Sequence, residues 1–132
     1  MKDKLDHSRG WLLKAESDLL AAEKLVTVGG PYDMACFHSQ QAAEKYLKAL
    51  LAFTDQPIPR THNLEDLDQL CEQAVSNWHI AGVDLTRLTP YAVELRYDFE
   101  FWPDQATAEE ALQDAKAVRA AVLSILPLQP FS

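Results

Sequence analysis

The chain has 132 residues, enough for one domain with its own core, and its 48% apolar and 24% charged residues exclude a disordered polypeptide. The net charge of −8 lies entirely in residues 54–132, where five Lys or Arg face thirteen Asp or Glu, while residues 1–53 balance at seven and seven. That excludes a generic phosphate-coating nucleic-acid binder and leaves room for a local anion pocket in the neutral half.

No apolar run reaches the roughly 18 residues that a membrane span needs, so no membrane partner is expected. The charged start Met1-Lys2-Asp3-Lys4-Leu5-Asp6 has no apolar stretch behind it, which predicts no signal peptide and a cytoplasmic protein. Cys36 and Cys71 stand far apart in no ligand spacing and read as small buried hydrophobes, without a disulfide.

The first helix is predicted from about Ser8 to Val28. Leu12, Ala15, Leu19, Ala22 and Val26 share one face, Asp6 or Ser8 caps the start, and Gly29-Gly30-Pro31 ends it. Helix two follows from about Asp33 to Phe53. Cys36, Ala43, Tyr46, Leu50 and Phe53 form one seam and Ala35, Ala42 and Ala49 another, the pattern of a helix buried on more than one side. Pro57 and Pro59 force an extended connection. Asn63 then caps helix three, with Asp66 at the capping-box position and Leu64, Leu67, Leu70, Cys71 and Ala74 on its apolar face. Residues 76–83 read as a loop.

Helix four is expected over about Pro90–Tyr97, with Thr89 as its cap, Pro90 at its first position and room for a short turn before it. Residues 98–106 read as an aromatic loop carrying Phe99, Phe101 and Trp102, a lid or an interface. Thr107-Ala108-Glu109-Glu110 reads as a capping box, behind which Ala111, Ala115, Val118, Val122 and Ile125 carry the last helix to Leu126. With no alternating strand pattern and short connections, the fold class is all-α: an antiparallel up-and-down bundle of four to five helices in one domain over 6–127.

The run from Ala35 to Leu51, Ala35-Cys36-Phe37-His38-Ser39-Gln40-Gln41-Ala42-Ala43-Glu44-Lys45-Tyr46-Leu47-Lys48-Ala49-Leu50-Leu51, resembles the second helix of HEPN domains. Residues 11–19 resemble the family's first helix, Thr61-His62-Asn63-Leu64 the start of its third, and Arg96-Tyr97 the pair that closes its fourth. The resemblance implies a bundle that forms a homodimer around a cleft. It also implies a link with minimal nucleotidyltransferases, beside which many such proteins are encoded, in two-component and toxin–antitoxin pairs.

Some members of the family are metal-independent ribonucleases that use an Arg, four to six residues, then a His. Counting from Arg96, that His would stand at Phe101, Trp102 or Pro103, none of which can exchange a proton, and no other arginine restores the motif. The expected function is therefore non-catalytic: a nucleotide- or RNA-binding module, or accessory subunit, acting with a nucleotidyltransferase. The alternative is a ribonuclease toxin pairing Arg96 with a non-family base such as His38.

Six residues are candidate ligand contacts. His38, Gln41, Lys45 and Lys48 recur at steps of three, four and three and share one stripe of helix two. They read either as a polar lining for an anion or as a solvated face in which Glu44 and Lys48 form an i,i+4 pair. Arg96 can grip phosphate while Tyr97 stacks on a base, or can be locked by Asp98 and Glu100. His62 is expected to bond backbone near the helix-three cap, and His7 and His79 to lie in exposed loops. No catalytic residue, metal or cofactor is predicted.

Overall fold

α1 spans Lys4–Val28 in the computed structural model, which describes residues 3–127 of the chain. Its cap is Asp3, one turn earlier than expected. The Asp3 carboxylate accepts the Asp6 amide at 3.0 Å, and the Asp6 carboxylate accepts the Asp3 amide at 3.4 Å. Ser8 is no cap. It lies inside the helix, fully buried, and its hydroxyl donates to the Ala49 carbonyl at 2.8 Å, tying the start of α1 to the end of α2. Gly29 closes α1 at φ 90°, a left-handed conformation that other residues adopt only at a cost of about 1 kcal/mol.

α2 spans Tyr32–Phe53 and is the centre of the bundle, as its all-round apolar pattern predicts. From Ala42 to Ala52 every side chain except Lys45 is buried. Ala15 and Ala22 of α1 and Ala35, Ala42, Ala43 and Ala49 of α2 are wholly buried, and side chains this small let the helices approach closely.

α3 spans Leu64–Ala74, and Asn63 caps it by accepting the Asp66 amide at 2.9 Å. The loop that follows folds Trp78 back into the core, where its indole N–H donates to Asp68 at 2.7 Å.

The expected helix over Pro90–Tyr97 is not formed. A single turn, α4 at Leu85–Leu88 capped by Asp84, runs into a 3-10 turn at Thr89–Ala92. Pro90 has no N–H to continue α4 and its ring crowds the carbonyl four residues back, so the chain tightens and then leaves the helix. The Leu95 amide reaches the Pro90 carbonyl at 3.0 Å, and turns carry the chain past Tyr97. Thr89 serves α3 instead: its hydroxyl accepts the Leu64 amide at 3.1 Å and donates to Glu65.

α5 spans Gln105–Ile125 and is capped by Asp104, not Thr107, whose amide donates to the Asp104 carboxylate at 2.9 Å. A carboxylate three residues upstream also favours the helix dipole, which the Thr107 hydroxyl cannot do. Arg87 clasps the buried Asp114 through two 2.8 Å bonds and fixes α4 on α5. The described residues therefore form an all-helical bundle around α2, without strands. No helix among them is long and apolar enough to cross a membrane.

Candidate ligand site at Arg96

Arg96 lies in the turns after the 3-10 segment and is exposed. Its guanidinium carbon sits 4.8 Å from the centre of the Phe37 ring on α2 and 4.8 Å from that of Tyr97, and an N–H of the group donates to the Tyr97 hydroxyl. Two aromatic faces thus hold the cation by its ring quadrupoles. Among the described residues, neither Asp98 nor Glu100 forms an ion pair with it, so the predicted carboxylate lock is absent. Asp98 accepts the Glu100 amide at 3.0 Å instead. Phe37 was not singled out in the sequence, although it immediately precedes His38; contact with a loop nearly sixty residues on leaves no local signal.

The loop after Arg96 divides in two. Phe101 folds back and stacks on Tyr91, with ring centres 5.5 Å apart. Tyr97, Phe99 and Trp102 instead stand 65%, 90% and 74% exposed, so the loop is no closed lid. The Trp102 indole N–H donates to the Phe99 carbonyl at 3.0 Å, which fixes the loop's shape.

The stripe on α2 is neither an open lining nor a solvated face, although the expected i,i+4 pair of Glu44 and Lys48 does form. His38 lies 2.8 Å from Asp18 of α1, and Lys45 donates to the other oxygen of that carboxylate at 2.5 Å. Lys48 is buried with Glu44, 3.1 Å away, and lies over the Trp11 ring at 5.3 Å. Gln41 donates to Gln40 at 2.7 Å, and Gln40 donates to the His62 carbonyl at 2.9 Å. The His62 ring reaches Glu44 at 2.7 Å rather than backbone. His7 is exposed but sits inside α1, while His79 is exposed in its loop. Of the six candidates, Arg96 and Tyr97 therefore form one unit and His38 with Lys45 a second. Lys48 and Gln41 belong to a third, built on Glu44. The ring of Phe37 joins the first two, since it meets His38 edge-on at 5.2 Å.

A further polar group crosses the bundle at Glu16. Its carboxylate accepts the buried Tyr46 hydroxyl at 2.5 Å and Arg119 Nε at 2.6 Å. Burial, then the bond to Glu16, raises the Tyr46 pKa, and the same carboxylate raises that of Arg119. Cys36 and Cys71 are free, and burial pushes each thiol up to about 12, so neither supplies a thiolate near neutrality. The described residues contain no cluster of His, Cys, Asp or Glu suited to a metal ion.

Residues 8–125 match the profile of the HEPN domain. The chain belongs to the HEPN domain family. Two crystal structures share the HEPN fold seen here. TT1696 from Thermus thermophilus is 28% identical, with a TM-score of 0.74 over 91% of this chain and 98% of its own. ST0689, an archaeal HEPN homologue, is 26% identical, with a TM-score of 0.68 over 94% of this chain and 98% of its own. No curated protein matches the sequence. Where the resemblance would place a ribonuclease His in this HEPN chain, Phe101 is stacked on Tyr91 and Trp102 is exposed.

Proposed function

We propose that the chain is a non-catalytic binding module that holds a nucleotide or a short single-stranded RNA at Arg96. In this reading it is a cytoplasmic homodimer and the accessory subunit of a nucleotidyltransferase, in a two-component or toxin–antitoxin pair. One observation carries the ligand: an exposed guanidinium without a carboxylate partner among the described residues, backed by Phe37 and flanked by the exposed rings of Tyr97, Phe99 and Trp102. A guanidinium grips phosphate through paired N–H donors, and each base stacked on an aromatic ring contributes about 1–3 kcal/mol. The acidic balance of residues 54–132 favours a ligand with few phosphates over a long duplex. Membership of the family supports the nucleotidyltransferase link.

The test is a thermal shift with nucleotides and a short RNA, together with co-purification of a nucleotidyltransferase. A ligand at a hundred times its dissociation constant adds about 2.7 kcal/mol, enough to see. No shift and no such partner would end the proposal.

One observation favours a ribonuclease as the second reading: Arg96 and His38 meet the same Phe37 ring, and Asp18 orients the imidazole. It requires RNA cleavage by pure protein that is lost in both Arg96→Ala and His38→Ala.

A further inference from the structure

Arg96 is not the only cation beside Phe37. The ring centre that lies 4.8 Å from its guanidinium carbon lies 5.2 Å from the centre of the His38 ring. His38 in turn shares the Asp18 carboxylate with Lys45. The side chains of His38, Lys45 and Asp18 are 27%, 22% and 13% exposed, so solvent reaches all three. The group stands one ring beyond Arg96, a spacing that the phosphate chain of a nucleoside triphosphate can cover.

Asp18 closes that group to phosphate. An ionised carboxylate only accepts, so Nδ1 of His38 carries the proton across the 2.8 Å contact. In the neutral ring Nε2 is then an acceptor, which offers a phosphate oxygen nothing. Lys45 donates to the second carboxylate oxygen at 2.5 Å, and a phosphate that reached for it would lie against the Asp18 charge. Arg96 meets only aromatic rings and the Tyr97 hydroxyl among the described residues. One cation is open to an anion and its neighbours are not.

We propose that Asp18 is a specificity-determining residue that restricts the Arg96 site to one phosphate, so that the ligand is a nucleoside monophosphate, free or as a link of single-stranded RNA. The inference rests on the nucleotide-binding reading of Arg96 and names its ligand class. The second and third phosphates of a triphosphate gain no cation here, and Asp18 faces them with a like charge. In Asp18→Asn that charge is gone. The amide oxygen still accepts from His38, while the Lys45 ammonium is released to a second phosphate.

Calorimetric titration of the full chain with adenosine mono- and triphosphate, in metal-free buffer, tests this. The wild type is expected to bind the monophosphate at least as tightly as the triphosphate, a comparison that needs no variant. Asp18→Asn is expected to bind the triphosphate about tenfold more tightly than the wild type does, the share of one charge-assisted hydrogen bond, with a smaller change for the monophosphate. Adding Lys45→Met to Asp18→Asn should abolish that gain, a pattern that a merely structural role for Asp18 does not produce. A short single-stranded RNA in the same titrations separates the sources: binding tighter than that of the monophosphate assigns a chain link, weaker binding the free nucleotide. A wild type that prefers the triphosphate by about tenfold, or a folded Asp18→Asn with the wild-type ratio of affinities, overturns the restriction and leaves Arg96 standing as the ligand contact. No binding of mononucleotide, trinucleotide or RNA to the wild type overturns both readings.

Discussion

The guanidinium of Arg96 rests on the ring of Phe37, 4.8 Å from its centre, so the first turns of α2 fix a side chain that belongs to a loop. That contact ties the turns after Ala92, which belong to no helix, to the body of the bundle. Phe37→Ala should weaken nucleotide binding by about two- to fivefold, the share of an exposed cation–π contact of about 0.5–1 kcal/mol. Calorimetric titration reads this directly. Unchanged affinity would mean that Arg96 needs no backing.

Glu44 and Lys48 are predicted to be unequal partners. Removing the carboxylate in Glu44→Gln leaves the Lys48 ammonium buried beneath Trp11 without a counter-charge, a loss of about 3–5 kcal/mol by the measure of broken buried pairs. Lys48→Met leaves Glu44 with Gln40 and His62 and should be milder. Urea unfolding of the two variants gives the order, and the reverse order would contradict the assignment.

Most of the bundle was legible because α1, α2, α3 and α5 are long, periodic and punctuated by Gly29, Pro57 and Asn63. Failures came where two local solutions compete. Pro90 can open a helix, but here it follows a turn already begun at Leu85, so the chain tightens instead. Asp104 and Thr107 can both cap, and the carboxylate wins. The site was legible in its residue types but not in its pairings. Nothing near His38 or Lys45 in sequence indicates that Asp18, one helix away, grips both, nor that Lys48 would be buried.

The cap assignment has its own check. Asp104→Ala should lower the melting temperature more than Thr107→Ala, because the carboxylate makes the cap and the Thr107 hydroxyl only supports it. Equal losses would return the cap to Thr107.

Alkali should unfold the protein through its buried acids. Burial pushes Cys36, Cys71 and Tyr91 each up to about 12, from ordinary values of 9.0 for the thiols and 10.0 for the phenol. Their folded forms hold the proton more tightly, so the stability they contribute is complete below pH 9 and is lost as pH rises toward 12. Each group adds a slope of about 1.4 kcal/mol per pH unit within its window. Denaturant unfolding at stepped pH should show stability falling between pH 9 and 12, more shallowly in Cys71→Ala. A flat profile across that range would contradict the burial of these groups.

The central claim is that Arg96 binds a ligand rather than cutting one. Isothermal titration of a nucleoside triphosphate and of a short single-stranded RNA into wild type and Arg96→Ala, with the RNA run on a gel afterwards, tests it most directly. The account predicts saturable binding to the wild type, weakened about ten- to a hundredfold in Arg96→Ala by the loss of charge-assisted hydrogen bonds, with the RNA intact. Equal affinity in the two proteins, no binding to either ligand, or cleaved RNA would contradict it.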